Sequence, residues 1–223
     1  MTYGIFMSVG GDQNFIHDNE FTIDQQAPPN DEKHGAYAFY IGGSDHGGVY
    51  TGNVVTSNVT PVWISNMYGP GSNVVIRGNT FRKAEGAEPF VPFKLGWYKN
   101  PARNVAFYSN RFEGIEFGVA INDYTTGFVS DYKVGWTLRV KAAAGAKVVV
   151  LDRDGAEAAA GQADATGLFI AYLPQYLAAG KGQVVEAGKR VVKIERTDVS
   201  AYRIRVGDRE KPVTLRQDTE VAF

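Results

Sequence analysis

Four segments of the chain, residues 15–21, 49–55, 75–81 and 106–112, repeat one pattern. Each has an apolar residue three positions before an asparagine and another apolar residue two positions after it. The asparagines are 34, 26 and 31 residues apart, and the local sequence has strand rather than helix character. A period of this size is typical of a solenoid that stacks one coil per repeat.

The composition changes near residue 130. All 12 asparagines lie between Asn14 and Asn122, and 21 of the 28 aromatic residues lie in residues 1–130, whereas alanine is concentrated in the remainder. This change predicts two domains, 1–132 and 133–223, with Trp136 as the candidate for packing between them.

The first half predicts short strands separated by sharp bends. Besides the four repeated segments, residues 37–41, 61–65, 90–95 and 117–121 are strand candidates. Asparagine tolerates the left-handed backbone that a bend requires, and stacked carboxamides can bond to one another. We therefore expect the four asparagines to occupy the bends and form an internal ladder, beside two apolar stacks. The ladder is Asn19, Asn53, Asn79 and Asn110; the stacks are Phe21, Val55, Phe81, Phe112 and Ile16, Tyr50, Ile76, Phe107.

The second half predicts an antiparallel β-sandwich. The strand candidates are 136–140, 147–151, 168–172, 190–195, 202–206, 213–215 and a last strand ending at residue 221. Residues 156–165 are expected to form an exposed hairpin loop, with a short helix as the alternative.

Residues 72–81 and 103–112 resemble the right-handed parallel β-helix repeats of the pectate-lyase-like superfamily. The resemblance covers about residues 1–130 and implies a right-handed parallel β-helix, which together with the small sandwich predicted for the second half makes an all-β fold. Residues 148–155 and 165–168 resemble the immunoglobulin-like or carboxypeptidase-regulatory-like modules that are appended to secreted bacterial enzymes. Because the superfamily includes lyases, hydrolases, epimerases, tailspikes and adhesins, the resemblance implies a fold more than a reaction.

Charge and composition exclude several classes of function. The net charge of −1 argues against a general nucleic-acid or anionic-membrane surface, and the lack of cysteine excludes disulfides and thiol catalysis. No apolar run is long enough for a transmembrane helix.

We expect the open first coil to be covered by a missing preceding segment or by another chain, because a bare coil exposes apolar edges. A secreted or cell-surface location accompanies the resemblance.

The candidate catalytic residues are Asp45, His46, Arg77 and Lys94. Asp45 and His46 lie in the glycine-rich segment 42–48, where histidine suits general acid–base work and a plain turn is the alternative. In the β-helix lyases that the chain resembles, an Arg or Lys removes the proton beside a uronate carboxylate. No motif carries that role to a particular residue here, and Arg77 and Lys94 are the candidates that we select.

The candidate substrate-binding residues supply positive charge and aromatic rings. Arg and Lys bind acidic polysaccharides, and sugar rings stack on exposed aromatic side chains. The position two residues before each ladder asparagine is expected to face outward and gives a row that starts at His17 and ends at Tyr108; plain solvated strand residues are the alternative. The set is His17, Arg82, Trp97, Tyr98, Lys99 and Tyr108.

No cofactor follows from the sequence with certainty. Ca²⁺ is the candidate ion, since the resemblance implies it and oxygen ligands are available, although no tight acidic spacing supports a site in the first half. The available carboxylates are Asp12, Asp18, Asp45 and Asp123.

Two classes of function remain open at this stage. The first is a polysaccharide-acting enzyme of lyase, epimerase or glycoside hydrolase type, with one groove near Asp45, His46, Arg77, Lys94 and Tyr98. The second is a non-catalytic carbohydrate-binding, adhesin or tailspike-like structural module. A convergent acid–base pair would distinguish the two classes, and the sequence shows no such pair.

Overall fold

The computed structural model describes residues 2–7, 12–26, 35–43, 45–121, 129–186 and 189–223, and every regular element in these ranges is a β-strand. The chain divides into two compact units. The first consists of Met1–Tyr132 and Ala179–Glu195, and the second of Lys133–Ala178 and Arg196–Phe223. None of the described segments forms an apolar helix of membrane-spanning length.

Three parallel sheets make up the first unit up to residue 121, and the chain visits them in a fixed order. Sheet A contains β1 (Thr2–Met7), β4 (Ala36–Ile41), β7 (Val62–Ile64), β10 (Phe93–Leu95) and β13 (Val119–Ile121). Sheet B contains β2 (Phe15–His17), β5 (Val49–Thr51), β8 (Val75–Arg77) and β11 (Val105–Tyr108). Sheet C contains β3 (Glu20–Ile23), β6 (Val54–Ser57), β9 (Thr80–Lys83) and β12 (Arg111–Glu113). We call β1–β3, β4–β6, β7–β9 and β10–β12 repeats one to four.

The core of the first unit lies between the inner faces of the three sheets. Phe39 of sheet A has its ring centroid 5.1 Å from that of Phe21 in sheet C and 5.0 Å from that of Tyr50 in sheet B. In repeat four, Phe93 of sheet A lies 4.4 Å from Phe107 of sheet B. Both predicted apolar stacks are confirmed, because their members pair in register from one repeat to the next.

The predicted asparagine ladder is confirmed. The Nδ2 atom of Asn19 donates to Oδ1 of Asn53 at 3.0 Å, Asn53 donates to Asn79 at 2.9 Å, and Asn79 donates to Asn110 at 3.1 Å. Asn53 and Asn79 are fully buried. Each buried carboxamide also donates to backbone carbonyl groups, so the ladder satisfies polar groups that the interior hides from water.

The prediction that the asparagines themselves adopt the left-handed backbone is wrong. The residue before each asparagine has positive φ instead: Asp18 at 55°, Gly52 at 66°, Gly78 at 60° and Ser109 at 51°. The bend therefore lies one residue earlier, which leaves the asparagine side chain free to point inward. Glycine removes the steric cost of this conformation at two of the four bends.

The connections between sheets B and C have the same length in every repeat, whereas those between sheets C and A vary in length. The connection from sheet B to sheet C always consists of the bend residue and the ladder asparagine. The connection from sheet C to sheet A covers residues 24–35, 58–61, 84–92 and 114–118 in successive repeats. The unequal asparagine spacing therefore arises mainly outside the asparagine bend.

The remaining strands are β14 (Asp131–Lys141), β15 (Lys147–Leu151), β16 (Glu157–Gln162), β17 (Leu168–Glu186), β18 (Lys189–Asp198), β19 (Ala201–Val206), β20 (Arg209–Thr214) and β21 (Thr219–Ala222). In the second unit, β16, β15, β19 and β20 form an antiparallel sheet in that order. Its buried side chains pack with those of Leu138, Val140, Phe169, Ala171 and Leu173 into one cluster.

Two expectations for the second half need correction. Residues 157–162 form strand β16 rather than a loop, because their backbone pairs with β15 although alanine and glycine supply little apolar area. The second unit is also not purely antiparallel, since β14 pairs with β21 in parallel from Leu138 opposite Thr219 onward.

Candidate functional site

Aromatic residues cover the face of sheet A that points away from the core. Strand alternation places Tyr40 on the face opposite its neighbours Phe39 and Ile41, which point into the core. In the next two strands, Trp63 and then Lys94 are in register with Tyr40. We call the whole set the aromatic surface: Tyr3, Phe6, Tyr37, Tyr40, Trp63, Tyr68, Trp97 and Tyr98.

The rings of the aromatic surface form an unbroken series of contacts. Tyr3 stacks on Phe6 with 4.7 Å between ring centroids, and Tyr3 lies equally far from Tyr40. Tyr40 meets Trp63 edge-on at 5.5 Å, and Trp63 lies 5.3 Å from Trp97. Offset and edge-to-face pairs at these distances attract one another beyond their buried area. The series therefore extends across three strands of the sheet, β1, β4 and β7, and the adjoining turns.

A positive charge lies within the aromatic surface. The Nζ atom of Lys94 is 3.8 Å from the centroid of the Trp63 ring, which is the geometry of a cation–π interaction. Lys94 is half-buried, while Trp63 is fully buried and donates its indole N–H to the carbonyl of Gly96 at 3.1 Å. The lysine is thus held on the sheet beside the rings.

Two tight turns after β7 and β10 project exposed side chains beside this surface. One closes between Asn66 and Gly69 and the other between Trp97 and Asn100, each with reciprocal backbone hydrogen bonds. Asn100 Nδ2 donates to the carbonyl of Asn66 at 2.9 Å and links the turns. Their tips carry Tyr68, which is 51% exposed, and Tyr98, which is 50% exposed.

Most of the aromatic surface and both turns were not predicted from the sequence. A signal was present, since residues 62–70 and 93–101 align as an apolar strand, a turn with an aromatic residue and a closing proline. The missed members include Phe6, which is 39% exposed and lies 5.1 Å from the Tyr68 ring.

Asp45 is a buried residue and not an exposed acid. Only 1% of it is exposed, its carboxylate accepts a hydrogen bond from Tyr50 OH at 3.0 Å, and it accepts another from Asn14 Nδ2 at 3.2 Å. Burial raises the pKa of the Asp45 carboxyl, and the two hydrogen bonds oppose this shift. Burial also raises the pKa of Tyr50, and the adjacent Asp45 charge adds to the effect.

His46 takes a different partner from its neighbour. Its Nδ1 atom lies 2.5 Å from Ser72 Oγ, and the two residues pair across a parallel bridge on the connection between sheets A and B. His46 is exposed whereas Asp45 is buried, as expected for adjacent residues on an extended chain.

The predicted outward row on sheet B is in register. His17 pairs with Thr51, Thr51 with Arg77, and Arg77 with Tyr108. His17 Nδ1 lies 2.9 Å from Asp18 Oδ2. Tyr108 is largely buried, and burial raises its pKa to about 12.

Arg82 lies on the third sheet. Its Nε atom is 2.6 Å from Glu113 Oε2, and Arg111 Nε approaches the other oxygen of the same carboxylate at 2.9 Å. The hydrogen bond from Arg82 lowers the pKa of Glu113. The outer face of sheet C thus carries an ion-pair cluster.

The structure brings together four of the ten predicted site residues on sheet A and its second turn: Lys94, Trp97, Tyr98 and Lys99. Arg77, His17 and Tyr108 lie on sheet B, Arg82 lies on sheet C, and Asp45 and His46 lie on the connection that leads into β5. No protein-family model, curated protein or solved structure matches the chain.

The carboxylates considered for Ca²⁺ do not form a metal site among the described residues. Within those residues, no group of three or more His, Asp or Glu side chains gathers in a way that could hold an ion. Asp45 is bonded to Tyr50 and Asn14, and Asp123 lies outside the described residues. The described residues therefore show no acidic cluster of the kind expected for Ca²⁺.

Proposed function

We propose that the first unit is a segment of a parallel β-helix whose aromatic surface binds polysaccharide without turning it over. The coil is supported by three parallel sheets that the chain visits in constant order and whose inner faces share one core. We infer that the coil is right-handed from the resemblance of its repeats to the pectate-lyase-like superfamily. A secreted or cell-surface location belongs to the same proposal.

The unbroken series of ring contacts carries the binding proposal. Soluble proteins rarely leave contiguous apolar patches exposed unless the patch binds something. The inner rings of Tyr40 and Trp63 are fully buried, and Lys94 lies half-buried beside Trp63. The part of the aromatic surface that faces solvent is Phe6, Tyr68 and Tyr98. The apolar faces of sugar rings pack on such surfaces while their hydroxyl groups stay hydrated, and a lysine adds affinity for acidic sugars.

The test measures binding to a panel of neutral and uronate-containing polysaccharides by isothermal titration calorimetry. We expect Tyr68→Ala to weaken binding about fivefold or more, because truncating an exposed aromatic anchor removes over ~1 kcal/mol. Tyr172→Ala is the matched control, since Tyr172 is an exposed tyrosine of the second unit. Absence of binding to every polysaccharide, or equal loss in both variants, would contradict the proposal.

The enzymatic alternative has one observation in its favour. Lys94, one of the two candidate proton acceptors, lies in the aromatic surface beside the rings. If the alternative holds, the same panel will show new ultraviolet-absorbing unsaturated ends or new reducing ends. Lys94→Ala would then abolish their release, whereas the non-catalytic proposal predicts no release from the native protein.

A further inference from the structure

A pocket of about 620 Å³ lies where two connections from sheet C to sheet A run side by side. We call it the corner pocket, and it is lined by Lys83, by residues 89–92, which precede β10, and by residues 114–118, which precede β13. All of these residues belong to the first unit. Small-molecule sites usually measure about 300–1,000 Å³, so the corner pocket is large enough for a ligand.

The wall formed by residues 89–92 is fixed by two prolines and a hydrogen bond. Pro89 and Pro92 restrict the backbone at the two ends of this segment. Between them, the carbonyl of Val91 accepts the hydroxyl group of Thr60 in the preceding connection at 2.8 Å. This wall therefore keeps its shape whether or not a ligand is bound.

The wall formed by residues 114–118 rests on the core. The ring of Phe117 lies 5.7 Å from that of Phe93 and 5.6 Å from those of Phe107 and Phe112. Phe93 and Phe107 are fully buried, so Phe117 packs on immobile neighbours. Since both walls are ordered in advance, a ligand that enters the corner pocket pays little for ordering the protein.

The lining is apolar apart from one positive and one negative side chain. Lys83 is half-buried and its Nζ atom donates to the carbonyl of Ala87 at 2.8 Å, whereas Glu116 is exposed. Among the described residues that line the corner pocket, none has a hydroxyl or amide side chain. The apolar side chains are Pro89, Phe90, Val91, Pro92, Ile115 and Phe117.

We propose that the corner pocket binds an uncharged, ring-containing apolar molecule. The rings of Phe90 and Phe117 and the two prolines offer apolar contacts to a flat ligand. A sugar would leave its hydroxyl groups without side-chain amide or hydroxyl partners, which is unfavourable. An ion of either sign would lose hydration and meet Lys83 or Glu116 as a like charge.

A ring system also suits this pocket better than a flexible acyl chain. A rigid ligand loses less conformational freedom when it enters a site whose walls are already formed. The inference does not depend on polysaccharide binding, because the corner pocket and the aromatic surface share no lining residue.

The experiment titrates the full chain with N-phenyl-1-naphthylamine, an uncharged aromatic probe whose fluorescence increases in apolar surroundings. We expect saturable binding. Val91→Trp should weaken it about tenfold or more, because the larger side chain takes up space in the pocket that Val91 lines. Ile170→Trp is the matched control, since it adds the same ring at an exposed aliphatic residue of the second unit and should leave the affinity unchanged.

A charged relative of the probe tests the class of ligand. 1-Anilinonaphthalene-8-sulfonate has the same rings and a negative charge, and we expect it to bind about fivefold more weakly or worse. Equal or tighter binding of the sulfonate would overturn the proposal. The proposal would also be overturned if the uncharged probe showed no saturable binding, or if native protein and Val91→Trp bound it equally.

Nuclear Overhauser effects in the native protein locate the probe without any variant, so the test remains decisive even if Val91→Trp fails to fold. We expect contacts between the probe and the methyl groups of Val91 and Ile115. Contacts with Tyr68 instead would place the probe on the aromatic surface and contradict the proposal. Polysaccharide affinity should be the same with and without the bound probe, so the two binding proposals can fail separately.

Discussion

Tyr98 combines an unfavourable backbone with an exposed ring. Its φ of 48° lies in the left-handed region, and half of the residue is exposed at the tip of the second turn. For a residue other than glycine this conformation costs about 1–2 kcal/mol. Strain of this kind persists where the surrounding structure imposes it and is common at binding sites.

Tyr98→Gly is therefore expected to change stability and binding in opposite directions. Glycine relieves the left-handed strain and should raise the free energy of unfolding by about 1 kcal/mol. Removal of the ring should weaken polysaccharide binding about fivefold or more. Chemical denaturation and calorimetric titration measure the two effects. Tyr98→Ala is the control, because it removes the ring and keeps the strain; a loss of stability in the glycine variant would contradict the argument.

Asp45 is expected to make stability depend on pH. Its carboxyl has an ordinary pKa of 3.8, and burial raises the pKa in the folded state. An acid with a raised folded pKa favours the native state when protonated. Its contribution is complete below the ordinary pKa and is lost as pH rises through the raised pKa.

The comparison of native protein with Asp45→Asn isolates this contribution. We expect the free energy of unfolding of the native protein, relative to the variant, to fall as pH rises from about 3 to about 7. Urea denaturation at each pH measures the difference. If the difference in free energy of unfolding between the two proteins is constant or rises with pH, burial does not destabilise the ionised carboxylate of Asp45.

At the scale of elements, the ladder fixes the register of the bend between sheets B and C. Asn79 is buried, donates to the carbonyl groups of Tyr50 and Arg77 and to Asn110, and accepts from Asn53. No other side chain of similar size offers two donors and an acceptor in this geometry.

Asn79→Ala should destabilise the first unit by about 3 kcal/mol or more. The substitution leaves several buried polar groups without partners, and each costs about 1–3 kcal/mol. Thermal and chemical denaturation measure the loss. Asn104→Ala removes an exposed carboxamide that donates to Asn73 Oδ1 at 2.7 Å, at a residue with a left-handed backbone (φ 50°). It should cost about 1–2 kcal/mol, less than the loss at the buried ladder position. If the two substitutions lower the free energy of unfolding equally, the buried ladder contributes no more stability than an exposed asparagine, which would contradict this prediction.

Local spacing explains which elements could be predicted from sequence. The asparagine ladder and its two stacks follow from distances of two or three residues, which survive variable connections. The aromatic surface was not predicted because the alternation of inward and outward side chains is interrupted in the first part of β4. The N–H groups of Ala38 and Phe39 both donate to the Pro61 carbonyl, and this bulge puts Tyr37 and Tyr40 on one face although they are three residues apart.

The candidate site could be predicted only in part for a related reason. Lys94, Trp97, Tyr98 and Lys99 are close in sequence and come together in space. Tyr3, Phe6 and Tyr68 join them through parallel pairing between repeats, which requires the register of sheet A. Asp45 looked like a loop acid in sequence, and its burial depends on Tyr50 and Asn14.

At the scale of the whole molecule, each unit has its own buried cluster. Trp136, expected to lie between domains, packs against the core of the second unit and donates its indole N–H to Gln175 Oε1 at 2.8 Å. Its contribution to stability therefore belongs to the second unit.

Trp136→Ala is expected to lower the melting temperature of the second unit while polysaccharide affinity stays unchanged. Truncating a partly buried tryptophan removes packing and a hydrogen bond, so we expect a loss of about 2–4 kcal/mol. Differential scanning calorimetry and calorimetric titration measure the two properties. An unchanged thermogram, or a loss of affinity in protein that is still folded, would contradict the assignment.

The bend between sheets B and C has a constant length, whereas the connection from sheet C to sheet A varies in length. The chain can therefore become longer or shorter without a change in strand register. Residues can be gained or lost between sheets C and A, as in 58–61 compared with 84–92, while the paired strands keep their partners. That corner is thus a natural place to graft foreign sequence, whereas a single deletion at an asparagine bend would invert which side chains face inward.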